Sequence, residues 1–248
     1  MMMLVCDTSN STCCAGVFED GKRLSGKLNM EPRTHSETFM PLVHEMMAEA
    51  RITHDKLDCY AAVTGPGSFT GIRIGLAAVK AMSAASGKPC VAVSSTEALE
   101  RSCENVTATK PCETIMIPAF DARNNRVFAQ VMEDDTAKSL IRENAYDADE
   151  LALAVTGIPE IIYGARRQII VVGSGSEAMK RAFERLGATL NIYYAPGAVI
   201  LPEGVAKAAF AAVRTNKDSA LVSGLDICAS YCAASRVKTL DGRNYEGK

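Results

Sequence analysis

Tryptophan is absent from this chain of 248 residues, and aromatic residues make up only 6% of it. Bases of single-stranded RNA are held largely by stacking on such rings, so a stacking platform is excluded. A surplus of positive charge is also missing, since the formal net charge is −2. A basic face is the electrostatic footprint of nucleic-acid binding, so any RNA-related role has to run through a partner. No apolar run reaches the roughly 18 residues of a membrane span, and no membrane partner is expected. The apolar start, Met1 to Cys6, meets Asp7 too early and follows no basic region, which argues against an export signal. Nine cysteines are scattered without a Cys-x-x-Cys pair, the usage of a reduced, cytoplasmic protein. Cys6, Cys59 and Cys90 sit in apolar runs as small buried hydrophobes. Cys13-Cys14 and the pair Cys228 and Cys232 are read as incidental rather than redox-active.

What is present is an ordinary globular composition, with 48% hydrophobic residues, 23% charged residues and a mean hydropathy of +0.03. Such a chain can bury a sizeable core. Its most distinctive stretch is Val63-Thr64-Gly65-Pro66-Gly67-Ser68-Phe69-Thr70-Gly71-Ile72-Arg73-Ile74-Gly75. An apolar strand, Cys59–Val63, leads in, and an Ala-rich helix, Ile72–Ser86 with Gly87 as its stop, leads out. Gly65, Gly67 and Gly71 permit positive φ or a close backbone approach. The loop serves either as a tight turn of an α/β core or as a set of amides facing an anion. It is no Walker A motif, lacking the Lys-Ser or Lys-Thr pair, and it departs from the dinucleotide fingerprint at Thr70.

Strands are expected at 2–6, 13–18 and 23–28. An amphipathic helix follows from Thr34, capped with Glu37, along the stripe Phe39, Leu42, Val43, Met46, Met47 and Ala50. Pro41 should kink it or displace its first turn. After Cys59–Ser86 come a strand at 90–93 and a helix capped by Ser94 with Glu97. The order then restarts: strands at 114–120, 126–132 and 139–143, a helix at 147–155, a strand at 169–172, Gly173-Ser174-Gly175-Ser176, and a helix at 177–186. Leu4-Val5-Cys6-Asp7 matches Pro118-Ala119-Phe120-Asp121, and Val63 to Ser68 matches Val171 to Ser176. Two matches in the same order indicate a duplicated β-β-β-α-β-α unit.

The fold class is therefore α/β, a duplicated actin-like fold of two lobes, each a mixed sheet with flanking helices. Residues 1–104 form the N-terminal lobe with the partner-binding helices and 105–202 the C-terminal lobe. Residues 203–248 form a helix and a frayed tail packing back across the lobes. In the actin, Hsp70 and sugar-kinase superfamily, hairpin turns like these two face each other across a cleft and hold nucleotide phosphates. Asp7, Thr8 and Ser9 resemble the first such turn, Asp121 and Arg123 the second, and Gly173 and Gly175 the adenosine loop. The carboxylates suit a magnesium ion or a water. The scaffold either keeps nucleotide binding or has lost it, since no lysine stands beside the Asp turns.

Asp7-Thr8-Ser9, His35-Ser36-Glu37, the glycine motif, Val93-Ser94-Ser95 and Asp121-Ala122-Arg123, in this order, resemble the TsaB family, strongly over residues 2–130 and thinly beyond. The resemblance implies a non-catalytic paralogue of TsaD, the transferase that places threonylcarbamoyl on adenosine 37 of tRNAs reading ANN codons. It implies TsaD as heterodimer partner, the ATPase TsaE in the larger complex, a homodimer when alone, and tRNA contacted only through the complex. No cofactor of its own is implied, with ATP or ADP and magnesium belonging to the complex. TsaD holds its metal through His-x-x-x-His on the helix after the third strand. Here His35 is followed by Phe39, so neither a metal site nor a catalytic residue is expected. The resemblance places the partner interface on the two N-terminal helices, through Phe39, Val43, Met46, Met47, Arg73, Gly75, Ala78 and Met82. Gly65, Gly67, Ser68 and Gly71 form the structural loop. Asn124-Asn125-Arg126 departs from the family's pattern after Asp-Ala-Arg, and Tyr231-Cys232-Ala233 from its Tyr-Leu-Arg. The competing readings are an ATP-dependent small-molecule kinase of the same superfamily and a metal-dependent, glycoprotease-like peptidase.

Overall fold

In the computed structural model, residues 1–31, 35–103, 114–133, 138–158 and 168–232 are described. The Thr34 cap, the boundary at 104 and the tail 240–248 lie outside them. Strands β1 (Met2–Asp7), β2 (Cys13–Glu19), β3 (Lys22–Asn29), β4 (Cys59–Gly65) and β5 (Cys90–Ser94) form one sheet in the order β3-β2-β1-β4-β5. Strands β6 (Thr114–Asp121), β7 (Arg126–Glu133), β8 (Ser139–Asp147), β9 (Gln168–Val172) and β10 (Ile192–Ala195) form a second, in the order β10-β9-β6-β7-β8. With β6 set on β1, the two orders are the same. In each, the first three strands are antiparallel and the last two join in parallel. The duplication read from the sequence is thus present in the hydrogen-bond ladders themselves.

Two compact units result: Met1–Ser102 with Val199–Tyr231, and Cys103–Ala198 with the chain from Cys232. The first unit packs α1 (His35–Ala50) and α2 (Phe69–Ser86) on one face of its sheet. Leu4, Cys6, Val17 and Tyr60 meet Phe39, Met46, Ile72 and Val79 there. Neighbouring β1 residues on the other face, Met3 and Val5, are equally buried, which is why β1 reads as a continuous apolar run instead of an alternating one. That face is covered by α6 (Pro202–Thr215), which also lies along α3 (Ser95–Ser102).

The expected division at 202/203 is therefore corrected. α6 belongs to the first unit, where it buries Val205, Ala206, Ala208, Ala209 and Phe210. Gly204 sets its distance to α3, because a Cβ there would collide with Ser102 and the Ala98 carbonyl. In the second unit, α4 (Ala148–Thr156) and α5 (Ser176–Arg185) pack Leu151, Val155, Met179 and Phe183 on Ile115, Ile117, Val127 and Val171. The helix beginning at Phe69 starts earlier than the sequence pattern suggests, because Ser68 caps it by accepting the Gly71 amide at 3.2 Å. Pro41 lies within α1, which runs on through it to Ala50.

Candidate functional site

The Asp7 turn and the glycine motif form one assembly in the first unit. Asp7 Oδ1 accepts the Ser9 amide at 2.8 Å, Thr8 Oγ1 donates to the Gly71 carbonyl at 2.7 Å, and the Ser68 amide donates to the Ser9 carbonyl at 2.7 Å. Ser95 Oγ lies 3.3 Å from Ser9 Oγ, and His35 Nε2 donates to the Asn10 carbonyl at 2.6 Å. Asp7, Thr8 and Ser9 are all buried. A Cβ on Gly67 would collide with the Ser9 carbonyl, one on Gly71 with the Thr8 carbonyl, and one on Gly75 with Thr8 Oγ1. The motif's glycines thus let the first two turns of α2 lie directly on the turn after β1. Of Gly65, Gly67 and Gly71, only Gly65 has positive φ, at 121°. Its cis peptide bond leads into Pro66, and a Cβ on it would stand 2.5 Å from the Ser230 carbonyl.

This assembly differs from an open phosphate cradle. The Thr8 hydroxyl, the Ser9 carbonyl and the Ser9 amide have partners within the unit. Asp7 Oδ2 is the exception, a buried carboxylate oxygen without a hydrogen-bond partner among the described residues. Loss of hydration pushes the Asp7 carboxyl up to about 6, against the lowering effect of the Ser9 bonds and His35.

The second turn repeats the local geometry in the open. Asp121 Oδ1 accepts the Arg123 amide at 2.9 Å, and Ser174 Oγ accepts the Asp121 amide at 3.1 Å. Asp121 and Arg123 are exposed, while Gly173 and Gly175 are buried, with Gly175 packed on Ala119. The strand-to-helix turns therefore do not match residue for residue. The Gly67–Gly71 stretch packs beyond the end of β1, whereas Gly175 packs within β6. Arg123, Asn124 and Asn125 have φ of 62°, 51° and 59°. Asn125 is held there by its Nδ2, which donates to Asp149 at 3.0 Å, while Arg185 pairs with the same carboxylate at 2.5 Å.

The expected interface residues divide into two sets. Phe39, Val43, Met46, Met47 and Met82 are buried in the first unit's own core. The apolar stripe of α1 thus covers the sheet, and its assignment to a partner surface is corrected. Gly75 is buried against Thr8, Ala78 is half-buried and Arg73 is exposed. The outward face of α2 consists of Arg73, Ala77, Ala81, Ala84 and Ala85, and that of α1 includes Met40, His44 and Ala48. Phe69 and Tyr231, 54% and 52% exposed, gather at Arg73. Neither aromatic is given a role by the sequence, where Tyr231 stands out only in the departure from the family's Tyr-Leu-Arg, although Phe69 and Arg73 stand one helical turn apart and are readable as a pair.

The family model of TsaD, tRNA N6-adenosine threonylcarbamoyltransferase, matches residues 30–239. The chain belongs to this family. The match extends well past residue 130, where the quoted motifs end. The tRNA threonylcarbamoyladenosine biosynthesis protein TsaB of Escherichia coli is 26% identical over 206 residues, covering 82% of each chain. TsaB of Bacillus subtilis is 29% identical over 128 residues, so there the chain spans about half the relative's length, 53%. Among solved structures, YeaZ from Pseudomonas aeruginosa shares the fold with a TM-score of 0.75 at 19% identity, over 93% of this chain and 99% of that one.

Proposed function

We propose that this protein is a TsaB-type subunit of the tRNA threonylcarbamoyladenosine pathway. In this reading it is without independent activity and supports a TsaD-type transferase in modifying adenosine 37 of tRNAs that read ANN codons. The observation that carries the reading is similarity to TsaB over most of the chain, and the family match over residues 30–239 agrees with it. Phe39 is buried in the core beneath α1 and serves packing there.

The transferase is the proposed partner, with TsaE joining the pair and a homodimer forming when the protein is alone. ATP or ADP with magnesium is assigned to the complex. The test is co-purification with the organism's own TsaD homologue, followed by measurement of threonylcarbamoyladenosine in tRNA with and without this chain. Complex formation and stimulated modification are expected. Neither occurring would overturn the reading. In the same preparation, tight Mg-ATP binding and phosphate transfer by the isolated chain would favour the kinase alternative.

A further inference from the structure

The last described stretch of the first unit runs antiparallel to α2. It is tied down at both ends. Val222 pairs with Cys90 across an isolated bridge, and the Ser230 amide donates to the Thr64 carbonyl at 2.8 Å. Between them, Ile227 is buried and Lys80 Nζ donates to the Leu225 carbonyl at 3.3 Å. This path delivers Tyr231 to the start of α2. There its hydroxyl accepts from Arg73 Nε at 2.9 Å, and its ring lies 5.3 Å from that of Phe69. The Arg73 guanidinium lies over Phe69, 3.6 Å from the ring centroid.

Arg73 is thus held by its Nε and by one flat face, while its two terminal nitrogens have no partner among the described residues. No acidic side chain among them pairs with it. A guanidinium fixed in this way presents a two-pronged fork outward with its conformational freedom already spent. We infer that Arg73, positioned by Phe69 and Tyr231, is the receptor for a carboxylate on a helix of the protein partner. This rests on the reading of the chain as a partner-binding subunit.

Several features favour a protein helix over a nucleic-acid phosphate. Arg73 is a single fork on a chain of net charge −2, and a phosphate backbone needs a track of cations. Along the same outward face stand Ala77, Ala81 and Ala84, which allow close backbone approach. At the far end, Ala81, Met82, Ala85 and Ser86 border a hollow of about 520 Å³ together with His54 and Asp55. Twelve residues of helix separate Arg73 from Ala85, or about 18 Å. The complementary partner helix therefore carries an Asp or Glu near one end and a bulky apolar side chain about three turns away.

The test is titration of the organism's TsaD homologue with wild-type protein, Arg73→Lys, Arg73→Glu and Tyr231→Phe, at two salt concentrations. Interface arginines in fixed pockets lose about 30-fold or more in affinity when their interaction is removed, and that loss is expected for Arg73→Glu. Arg73→Lys keeps the charge but not the fork, so about tenfold is expected. Tyr231→Phe frees Nε and should weaken binding several-fold. Thermal stability should be unchanged in all three, because the side chains are exposed, and salt should weaken the wild type more than Arg73→Glu. Wild-type affinity retained in both Arg73 variants overturns the inference and leaves the subunit reading standing. A wild-type protein that does not bind overturns both. Loss of tRNA binding or self-association alone, with transferase affinity intact, also overturns the inference.

Discussion

Thr8 Oγ1 donates to the Gly71 carbonyl, and the same oxygen occupies the space that a Cβ on Gly75 would need. One hydroxyl therefore both anchors α2 and dictates a glycine one turn further along. Gly75→Ala should destabilise the protein by about 1–3 kcal/mol through overpacking. In a Thr8→Ala background the obstacle is gone, and the better helix propensity of alanine over glycine, about 1 kcal/mol, should make the same change neutral or stabilising. Gly71→Ala meets the Thr8 carbonyl instead, so it should remain damaging in both backgrounds. Denaturant midpoints for the double-mutant cycle decide this, and a Gly75→Ala cost that is identical with and without the Thr8 hydroxyl would refute it.

Asp7 makes stability depend on pH. Its carboxyl, pushed up to about 6 by burial, lies above its value of about 3.9 in an unfolded chain. The folded state therefore binds the proton more tightly. The resulting stabilisation is fully present below about pH 4 and is lost as the pH rises through about 6, a difference on the order of 3 kcal/mol. Asp7→Asn can keep the bond from the Ser9 amide without carrying a charge. It should be more stable than the wild type at pH 8, with the gap closing towards pH 4. Stability curves of the two proteins that run parallel from pH 4 to pH 8 would contradict this.

The second Asp turn depends on asparagines at positive φ. The side chain of Asn125 is bonded to Asp149, so its conformation has local support. Asn124 is exposed with φ of 51°. Asn124→Gly should gain up to about 1 kcal/mol by removing the left-handed cost, and Asn124→Val should lose about 1–2 kcal/mol. Thermal melting of the two variants checks both signs, and a valine variant as stable as the wild type would show that the turn is unstrained.

The duplication was legible because it is written in strand order and in the two aspartates. Asp7 and Asp121 make the same bond to the amide two residues on, and an Asp after a buried strand announces such a turn. β10 went unnoticed, although the counterpart of β5 was due after α5. Its Ile192 to Ala195 are only partly buried or exposed, so the apolar signal is weak. The residue equivalence of the two glycine turns failed for a different reason. Similar Gly-x-Gly-Ser strings follow strands of different reach, and register is invisible in a single sequence. The apolar stripe of α1 was correctly found but assigned to the wrong neighbour. Periodicity shows which face is apolar, not whether the sheet or a partner covers it.

That distinction gives the last prediction. Val43 and Met46 are each 1% exposed in the core beneath α1, while Ala81 points outward from α2. Truncating Val43 or Met46 to alanine leaves a cavity, which should cost about 2–5 kcal/mol for the methionine and somewhat less for the valine. Any loss of transferase binding would then follow the loss of folded protein. Ala81→Glu should leave the melting temperature almost unchanged, since exposed substitutions stay within about 0.5 kcal/mol. It would nevertheless put a charge on a face where close apolar packing is expected, and so should abolish binding by folded protein. Melting curves and transferase titrations on the same samples separate the two classes. An Ala81→Glu protein that binds like the wild type would remove the outward face of α2 from the interface.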